Sequence, residues 1–92
     1  MSFFVYILRC ADGSYYIGHT DNIDKRVWEH QTGFVTSYTR KRRPLELVYT
    51  EQLPTREEAK ARERQLKGWS RAKKEALIKG NWTRLQELAR KL

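Results

Sequence analysis

The sequence predicts an α+β fold in which a small sheet is covered by helices. Two runs of β-branched and aromatic residues flank a turn signal near the N-terminus, and a third alternating run begins near residue 45. The C-terminal half carries helix-capping residues and apolar residues at helical spacing. The expected order is β-β-α-β-α-α-α, and 92 residues have room for one hydrophobic core, so residues 1–92 are expected to form a single domain.

The first two strands are expected to form a hairpin over residues 3–9 and 14–20, joined by an Ala-Asp-Gly turn. The length of its loop decides where Tyr6 and Tyr16 point, because side chains alternate along each strand. A two-residue turn would put the two tyrosines on opposite faces of the sheet. A three-residue loop with Gly13 left-handed puts both on one face, and we predict that loop.

A short helix is expected next, over residues 22–31. Ile23 and Val27 lie four residues apart, which places both on one helix face. Thr20 and Asp21 offer capping oxygens ahead of them, and a glycine follows the helix. These signals predict a helix whose apolar side faces the sheet.

A third strand is expected after a polar, basic stretch at 32–43 that shows no amphipathic helix pattern. In the run 45–53, Leu45, Leu47 and Tyr49 alternate with a second set of residues, Glu46, Val48 and Thr50. Alternation of period two predicts that these three side chains share one face of a strand.

Three helices are expected in the remainder of the chain. Thr55 and Glu58 form a capping box, in which the Thr55 hydroxyl accepts from the Glu58 amide and the Glu58 carboxylate reaches back. That helix is expected to run to about Lys67, and Ser70 caps a second helix that reaches Lys79. The last helix is expected to carry an apolar stripe made of Trp82, Leu85, Leu88, Ala89 and Leu92.

The charge of the chain is unevenly distributed. There are 19 Lys and Arg against 11 Asp and Glu, and the surplus of +8 comes from residues 40–92. Such a surplus favours a polyanionic partner, because each Lys or Arg that neutralises a phosphate releases condensed counterions. Nucleic acid is therefore the predicted partner, with a solvated helix surface as the alternative for the second of two basic clusters. The clusters are Arg40, Lys41, Arg42 and Arg43, and Lys67, Arg71, Lys73 and Lys74.

Several classes of protein are excluded by composition. The single cysteine, Cys10, cannot form an intramolecular disulfide or a multi-cysteine zinc site, which indicates a reducing compartment. The longest apolar run, residues 3–8, is far shorter than the ~20 residues needed to cross a bilayer. We therefore expect a cytoplasmic protein with no membrane association.

Four side chains suited to phosphate chemistry fall within the first thirty residues. Tyr6 and Tyr16 lie on neighbouring strands, and Arg26 and His30 lie four apart on the helix that follows. Each has an ordinary alternative, since tyrosines are common on amphipathic strands and an Arg/His pair is common on a solvated helix surface. Together they suggest a site near the edge of the hairpin.

Glu63 occupies a position where the helical pattern requires an apolar residue. It shares one helix face with Ala59 and Leu66. A carboxylate on that side is expected to be protonated, paired with a cation or bound to a metal. The cation would be Arg26 or Arg62, and the metal would be a divalent ion held by one carboxylate, water and substrate phosphate.

The motifs in this order resemble the GIY-YIG nuclease superfamily, and more closely its small stand-alone bacterial branch. The resemblance covers nearly the whole chain, although the first motif has Phe-Val-Tyr in place of Gly-Ile-Tyr. It rests on Phe4-Val5-Tyr6, Tyr16-Ile17-Gly18, Thr20, Asn22, Arg26, His30, Tyr38-Thr39-Arg40, Arg42-Arg43-Pro44, Leu47-Val48-Tyr49, Glu63 and the run from Leu66 to Lys74.

The resemblance implies a central three-stranded antiparallel sheet flanked by helices. It also implies hydrolysis of phosphodiester bonds with one divalent cation, Mg²⁺ or Mn²⁺. Tyr6 would be the general base or water-orienting phenol, with Tyr16 as its partner. Arg26 would stabilise the phosphorane-like charge, His30 would assist proton transfer, and Glu63 would hold the metal.

The expected function is therefore that of an endonuclease acting on DNA, in repair or recombination. A non-catalytic module that binds DNA or RNA and retains the nuclease fold is the alternative, and a scaffold protein is a third reading. Family members that cut particular sites usually carry a further DNA-binding domain, for which 92 residues leave no room. We expect low sequence specificity, or specificity supplied by a partner protein.

Overall fold

The protein is described by a computed structural model that covers residues 2–33 and 37–90. Three strands form one antiparallel sheet, β1 (Phe3–Arg9), β2 (Tyr15–Thr20) and β3 (Glu46–Leu53), in the spatial order β2-β1-β3. The helices are α1 (Ile23–Thr32), α2 (Ser37–Arg40), α3 (Arg56–Lys67), α4 (Arg71–Lys79) and α5 (Trp82–Arg90). The predicted α+β fold and its order of elements are confirmed, with α2 as one additional turn of helix.

The hairpin has the predicted three-residue loop. The Cys10 amide donates to the Ser14 carbonyl oxygen at 2.8 Å, and Gly13 adopts φ 85°. This register places Tyr6 and Tyr16 on the same face of the sheet, with their ring centroids 6.4 Å apart. The condition for a shared site is thus met.

The sheet separates two apolar clusters. Odd-numbered residues of β1 and β2 pack against α3 and α4, and even-numbered ones face α1. The first cluster consists of Val5, Ile7, Ile17, Ala59, Leu66 and Leu77. The second consists of Tyr6, Leu8, Cys10 and Leu45, with Tyr16, Ile23 and Val27 packed against it. Helices therefore cover both faces of the sheet, and an open cleft lies at the outer edge of β2.

The predicted alternation of β3 is wrong in its second half. A register shift opposite Ile7 and Leu8 pairs Ile7 with Tyr49 but Leu8 with Leu47. Val48, which lies between Leu47 and Tyr49 and has no partner on β1, forms a β-bulge and reverses the side-chain alternation. Leu45 therefore joins the second cluster while Tyr49 packs on the first.

The helix caps agree with the sequence in two helices of three. Thr55 and Ser70 cap α3 and α4 as predicted, accepting from the backbone amides three residues on. The cap of α1 is Asn22, whose side chain accepts from the amide of Lys25 at 3.1 Å, and the predicted capping by Thr20 or Asp21 is wrong. The Thr20 hydroxyl instead accepts from the Asn22 backbone amide and donates to the Asn22 carbonyl oxygen.

The polar, basic stretch, which shows no amphipathic helix pattern, contains α2. Tertiary contacts, which a local pattern does not reveal, explain this turn of helix: the Arg40 guanidinium donates to the Gly33 carbonyl oxygen and that of Arg43 to the Gln31 carbonyl oxygen. Both bonds tie the segment to the end of α1. The arginines thus have a structural role that their clustering did not predict.

The apolar stripe predicted for the last helix is only partly buried. Leu85 packs against the first cluster, whereas Trp82 is 62% exposed and Ala89 is exposed. Leu92 lies outside the described residues. No helix within residues 2–33 and 37–90 has the length and apolar character required to cross a membrane.

Candidate nuclease site

An open cleft of about 290 Å³ lies at the outer edge of β2, between α1 and α3. Four of the five residues predicted to carry chemistry line it, namely Tyr6, Tyr16, Arg26 and Glu63. The fifth, His30, is fully buried behind Tyr6. Gly18, His19, Thr20, Asp21 and Arg56 complete the lining.

Gly18 makes room for the ring of Tyr6. The two residues are paired across β1 and β2, and a Cβ at position 18 would come 2.6 Å from Cζ of Tyr6. Real Cβ atoms do not approach so closely, so any other residue would displace the phenol. The glycine of the Tyr-Ile-Gly motif thus sets the position of the tyrosine in the other motif.

Gly18→Ala is expected to destabilise the fold by about 1–3 kcal/mol, as overpacking of a tight contact does. Thermal or denaturant unfolding measures the change. Gly68→Ala is the matched control, because a Cβ there meets nothing closer than 3.5 Å and φ is −82°. Equal stability of the two variants would contradict this account of the contact.

A buried chain of hydrogen bonds runs inward from the cleft. The Tyr6 hydroxyl lies 3.0 Å from His30 Nε2, and His30 Nδ1 lies 2.9 Å from the Thr39 hydroxyl. Burial, reinforced by the positive charge of Arg26, lowers the pKa of His30 to about 4. The imidazole is therefore neutral near pH 7, with one nitrogen protonated and the other accepting a hydrogen bond.

Burial also acts on the phenol itself. Together with the neighbouring Tyr16, it raises the pKa of Tyr6 far above the usual phenol value, and Arg26 offsets only part of that rise. Tyr6 is thus a neutral phenol near pH 7.

The pKa of His30 predicts an acid-sensitive fold. The unfolded imidazole takes up a proton near pH 6.5 and the folded one only near pH 4. Stability is therefore lost as the pH falls from 6.5 toward 4, by up to about 1.4 kcal/mol per pH unit. Urea unfolding at several pH values measures the slope, and His30→Gln should flatten it. An unchanged slope would show that His30 is not the group responsible.

Arg26 is held beside the cleft without a complete set of partners. Its Nε is buried and makes no hydrogen bond within the described part of the chain, and Glu29 Oε1 lies 3.7 Å away. The Arg26 side chain as a whole is 36% exposed and lines the cleft, and a guanidinium there suits the oxygens of a phosphate.

Glu63 is paired, but not with the residues predicted from the sequence. His19 Nδ1 lies 2.7 Å from one carboxylate oxygen, and Lys67 Nζ lies 2.8 Å from the other. Arg62 pairs with Glu51 instead, so the expected ion pair of Glu63 with Arg26 or Arg62 is wrong. Burial alone would raise the pKa of Glu63, but the bonds from Lys67 and His19 outweigh it and hold that pKa below its usual range.

The surroundings of Glu63 fit a divalent cation. The carboxylate is ionised, lines the open cleft and is only 19% exposed, while the Lys67 side chain that pairs with it is 55% exposed. Residues 2–33 and 37–90 contain no cluster of three or more metal-ligating His, Cys, Asp or Glu side chains. One carboxylate with water and substrate phosphates is nevertheless a usual Mg²⁺ environment.

The two basic clusters do not behave as uniform charged patches. Arg42 pairs with Asp12 at 3.0 Å and its guanidinium lies 3.9 Å from the centroid of the Tyr38 ring. In the second cluster, Lys67 pairs with Glu63 whereas Lys73 lies over Trp69. Arg71 lies over Tyr15 and Lys74 is half-buried on the same helix. Binding of nucleic acid by these two clusters stays a prediction.

The family model of the GIY-YIG catalytic domain matches residues 2–76 of this chain. The chain belongs to the GIY-YIG family. That catalytic domain indicates a nuclease superfamily whose members generally use a divalent metal, and it implies binding of nucleic acid. The resemblance predicted from the motifs is confirmed.

This GIY-YIG chain is similar to UPF0213 proteins of both archaea and bacteria. One from Natronomonas pharaonis is 48% identical over 75 residues, which cover 82% of this chain and 88% of the relative. The solution NMR structure of a UPF0213 protein from Bacillus halodurans shares 46% identity, with a TM-score of 0.56 over 86% of this chain and 84% of that one. A second NMR structure, of a protein from E. faecalis, shares 39% identity, with a TM-score of 0.62 over 90% and 88% of the two chains.

Sequence reasoning missed three residues at this GIY-YIG site. His19 was not predicted because the alternation of β2 places it on the sheet face opposite Tyr6. The cleft extends around the edge of β2 and is lined by residues from both faces. Arg56 begins α3, far from the motifs in sequence. Thr39 lies in the polar, basic stretch at 32–43. No apolar pattern in that stretch indicates that Thr39 is buried beside His30.

Proposed function

We propose that this protein is a metal-dependent endonuclease that hydrolyses phosphodiester bonds in DNA with low intrinsic sequence specificity. The observation that carries the proposal is the convergence of Tyr6, Arg26 and Glu63 on one cleft, although they come from β1, α1 and α3. A module that only binds nucleic acid has no need to bring a phenol, a guanidinium and a carboxylate together.

The attacking water lies against Tyr6 in the proposed mechanism. The phenol oxygen takes a proton from the water while its own proton passes to Nε2 of His30, which is 3.0 Å away and neutral at pH 7. No phenolate forms before the reaction, and the imidazolium that forms on His30, whose pKa is about 4, would be stabilised by the negative charge of the phosphate bound in the cleft. Tyr16, whose ring centroid is 5.0 Å from that of His30, shields the transfer from solvent.

Arg26 would stabilise the charge that develops on the phosphate. Its side chain is 36% exposed and lines the cleft, and the forked geometry of a guanidinium allows two phosphate oxygens to be held at once, whereas a lysine would act only as a point charge. Glu63 would hold one Mg²⁺ or Mn²⁺, which supplies Lewis-acid stabilisation of the phosphate and leaving oxygen. His19 would keep the carboxylate oriented once Lys67 has moved aside.

The deciding experiment is a nicking assay on supercoiled and branched DNA, the latter representing repair and recombination intermediates. Wild-type protein should cleave with Mg²⁺ or Mn²⁺ and stop with a chelator, and Glu63→Ala should be inactive under both conditions. Retention of DNA binding without cleavage in any metal would favour the alternative, a binding module that keeps the nuclease fold.

Phosphate contacts by exposed lysines should make DNA binding salt-dependent and insensitive to sequence. Lys41 is the cleaner probe of the first cluster, because Arg40, Arg42 and Arg43 also make structural hydrogen bonds. Lys41→Gln should weaken binding equally on unrelated sequences and reduce the slope of log K against log[salt] by roughly 1. Fluorescence anisotropy at several salt concentrations measures both.

Lys79→Gln is the control for this titration, since it removes the same charge from an exposed position outside both clusters. Its salt slope should equal that of the wild type. An equal loss of slope in both variants would mean that only the net charge matters, and no loss in Lys41→Gln would exclude a phosphate contact there.

A further inference from the structure

Thr39 lies at the inner end of the hydrogen-bond chain that begins at Tyr6. Its side chain is completely buried, and its hydroxyl is 2.9 Å from Nδ1 of His30. The other imidazole nitrogen is 3.0 Å from the Tyr6 hydroxyl. A neutral imidazole carries its proton on one nitrogen only, so Thr39 and Tyr6 must play opposite roles toward it.

The chemistry of the two hydroxyls favours one arrangement. A phenol is far more acidic than an aliphatic alcohol, so Tyr6 is the better donor to an imidazole nitrogen and Thr39 the better acceptor from an imidazole N–H. The proton of His30 then resides on Nδ1, and the lone pair of Nε2 faces Tyr6. With its hydrogen directed at His30, the phenol turns its oxygen lone pairs toward the cleft.

We propose that Thr39 is a positioning residue that fixes the tautomer of His30 and thereby prepares Tyr6 to accept a proton from water in the cleft. The proposal rests on the nuclease function for its catalytic consequence, but the tautomer can be read without it. During the reaction the water proton moves to the Tyr6 oxygen, the Tyr6 proton moves to Nε2, and the resulting imidazolium still donates from Nδ1 to Thr39.

The arginines of the first basic cluster explain how a threonine on a single helical turn is held in place. Arg40 donates to the Gly33 carbonyl oxygen and Arg43 to that of Gln31, and both acceptors lie at or just beyond the end of the helix that carries His30. Arg42 pairs with Asp12 in the hairpin loop. The turn is therefore fixed to both elements that carry the reacting groups.

The test is a ¹⁵N NMR measurement of the histidine side chains in the full chain, without DNA or metal. His19→Asn assigns the spectrum, because the chain has two histidines. His30 is expected to show a protonated Nδ1 and a pyridine-like Nε2 near pH 7. A protonated Nε2 in the wild type would overturn the proposal directly, with no dependence on any variant folding.

Thr39→Val removes the hydroxyl at nearly constant volume, and Thr39→Ser restores it. The valine variant should shift His30 toward the tautomer protonated on Nε2 and lower kcat about 10- to 100-fold with KM unchanged, as loss of a histidine-orienting partner does. The serine variant should recover both. A Thr39→Val protein with the wild-type tautomer would contradict the proposal, whereas a correct tautomer in a wild type that never cleaves DNA would refute only the nuclease function.

Discussion

Glu63→Gln should abolish metal-dependent cleavage while leaving the metal-free protein as stable as the wild type. Cleavage is expected to fall at least about 10³-fold, since Lewis-acid stabilisation supplies several kcal/mol and each 1.4 kcal/mol is a factor of ten. The glutamine keeps the shape of the side chain and an oxygen that can still contact His19. What disappears is the negative charge.

The metal-free stability should change little, because the ion pair that is lost is largely solvated on one side. The Lys67 side chain is 55% exposed, so its ammonium regains water when the carboxylate is gone. A desolvated charge is removed at the same time, which acts in the opposite direction. A buried pair with Arg26 or Arg62, as the sequence alone suggested, would instead have left an unpaired cation at a cost of a few kcal/mol.

Thermal melts with and without Mn²⁺ separate these outcomes. Metal at about 100 times its Kd should stabilise the wild type by about 2.7 kcal/mol and the variant not at all. Glu57→Gln, which changes an exposed carboxylate in the first turn of the same helix, should keep the full metal shift. An identical shift in wild type and Glu63→Gln would place any metal elsewhere on the protein.

Much of the fold could be predicted because local signals and tertiary packing agree. Asp12 and Gly13 fix a three-residue loop, and Thr55 and Ser70 are the caps the helices use. The failures occur where long-range contacts override the local pattern. The bulge near Val48 is set by pairing with β1, and no alternation within the strand reveals it.

The site residues also include some that local patterns predict and others that only long-range contacts determine. Convergence of Tyr6, Tyr16 and Arg26 follows from strand register and helix spacing, both of which are local quantities. Of the partners of Glu63, Lys67 has the i, i+4 spacing that the sequence already shows, although the expected cations were Arg26 and Arg62. His19 could not be predicted, because it comes from the other side of the sheet edge. A pattern shows that a carboxylate is misplaced in an apolar stripe, but only the fold shows which groups face it.

Tyr6→Phe should also remove cleavage, by a different route. The phenylalanine ring keeps the contact with Gly18, so the cleft retains its shape, while the proton path to His30 is broken. Loss of general acid–base assistance lowers rates about 10²- to 10⁴-fold. The fall should appear in kcat, with DNA affinity and metal-induced stabilisation unchanged, which distinguishes this variant from Glu63→Gln.

A stability cost accompanies the change, because His30 Nε2 would be left buried without its partner. Such an unsatisfied group costs about 1–3 kcal/mol, so assays should be run well below the lowered melting temperature. Tyr49→Phe is the matched control: it removes a partly buried hydroxyl, bonded to Glu51 on the opposite face of the sheet, and should leave cleavage intact. If Tyr6→Phe retained wild-type kcat, the water would have to be activated without the phenol, and the chain from Tyr6 through His30 to Thr39 would serve the fold alone.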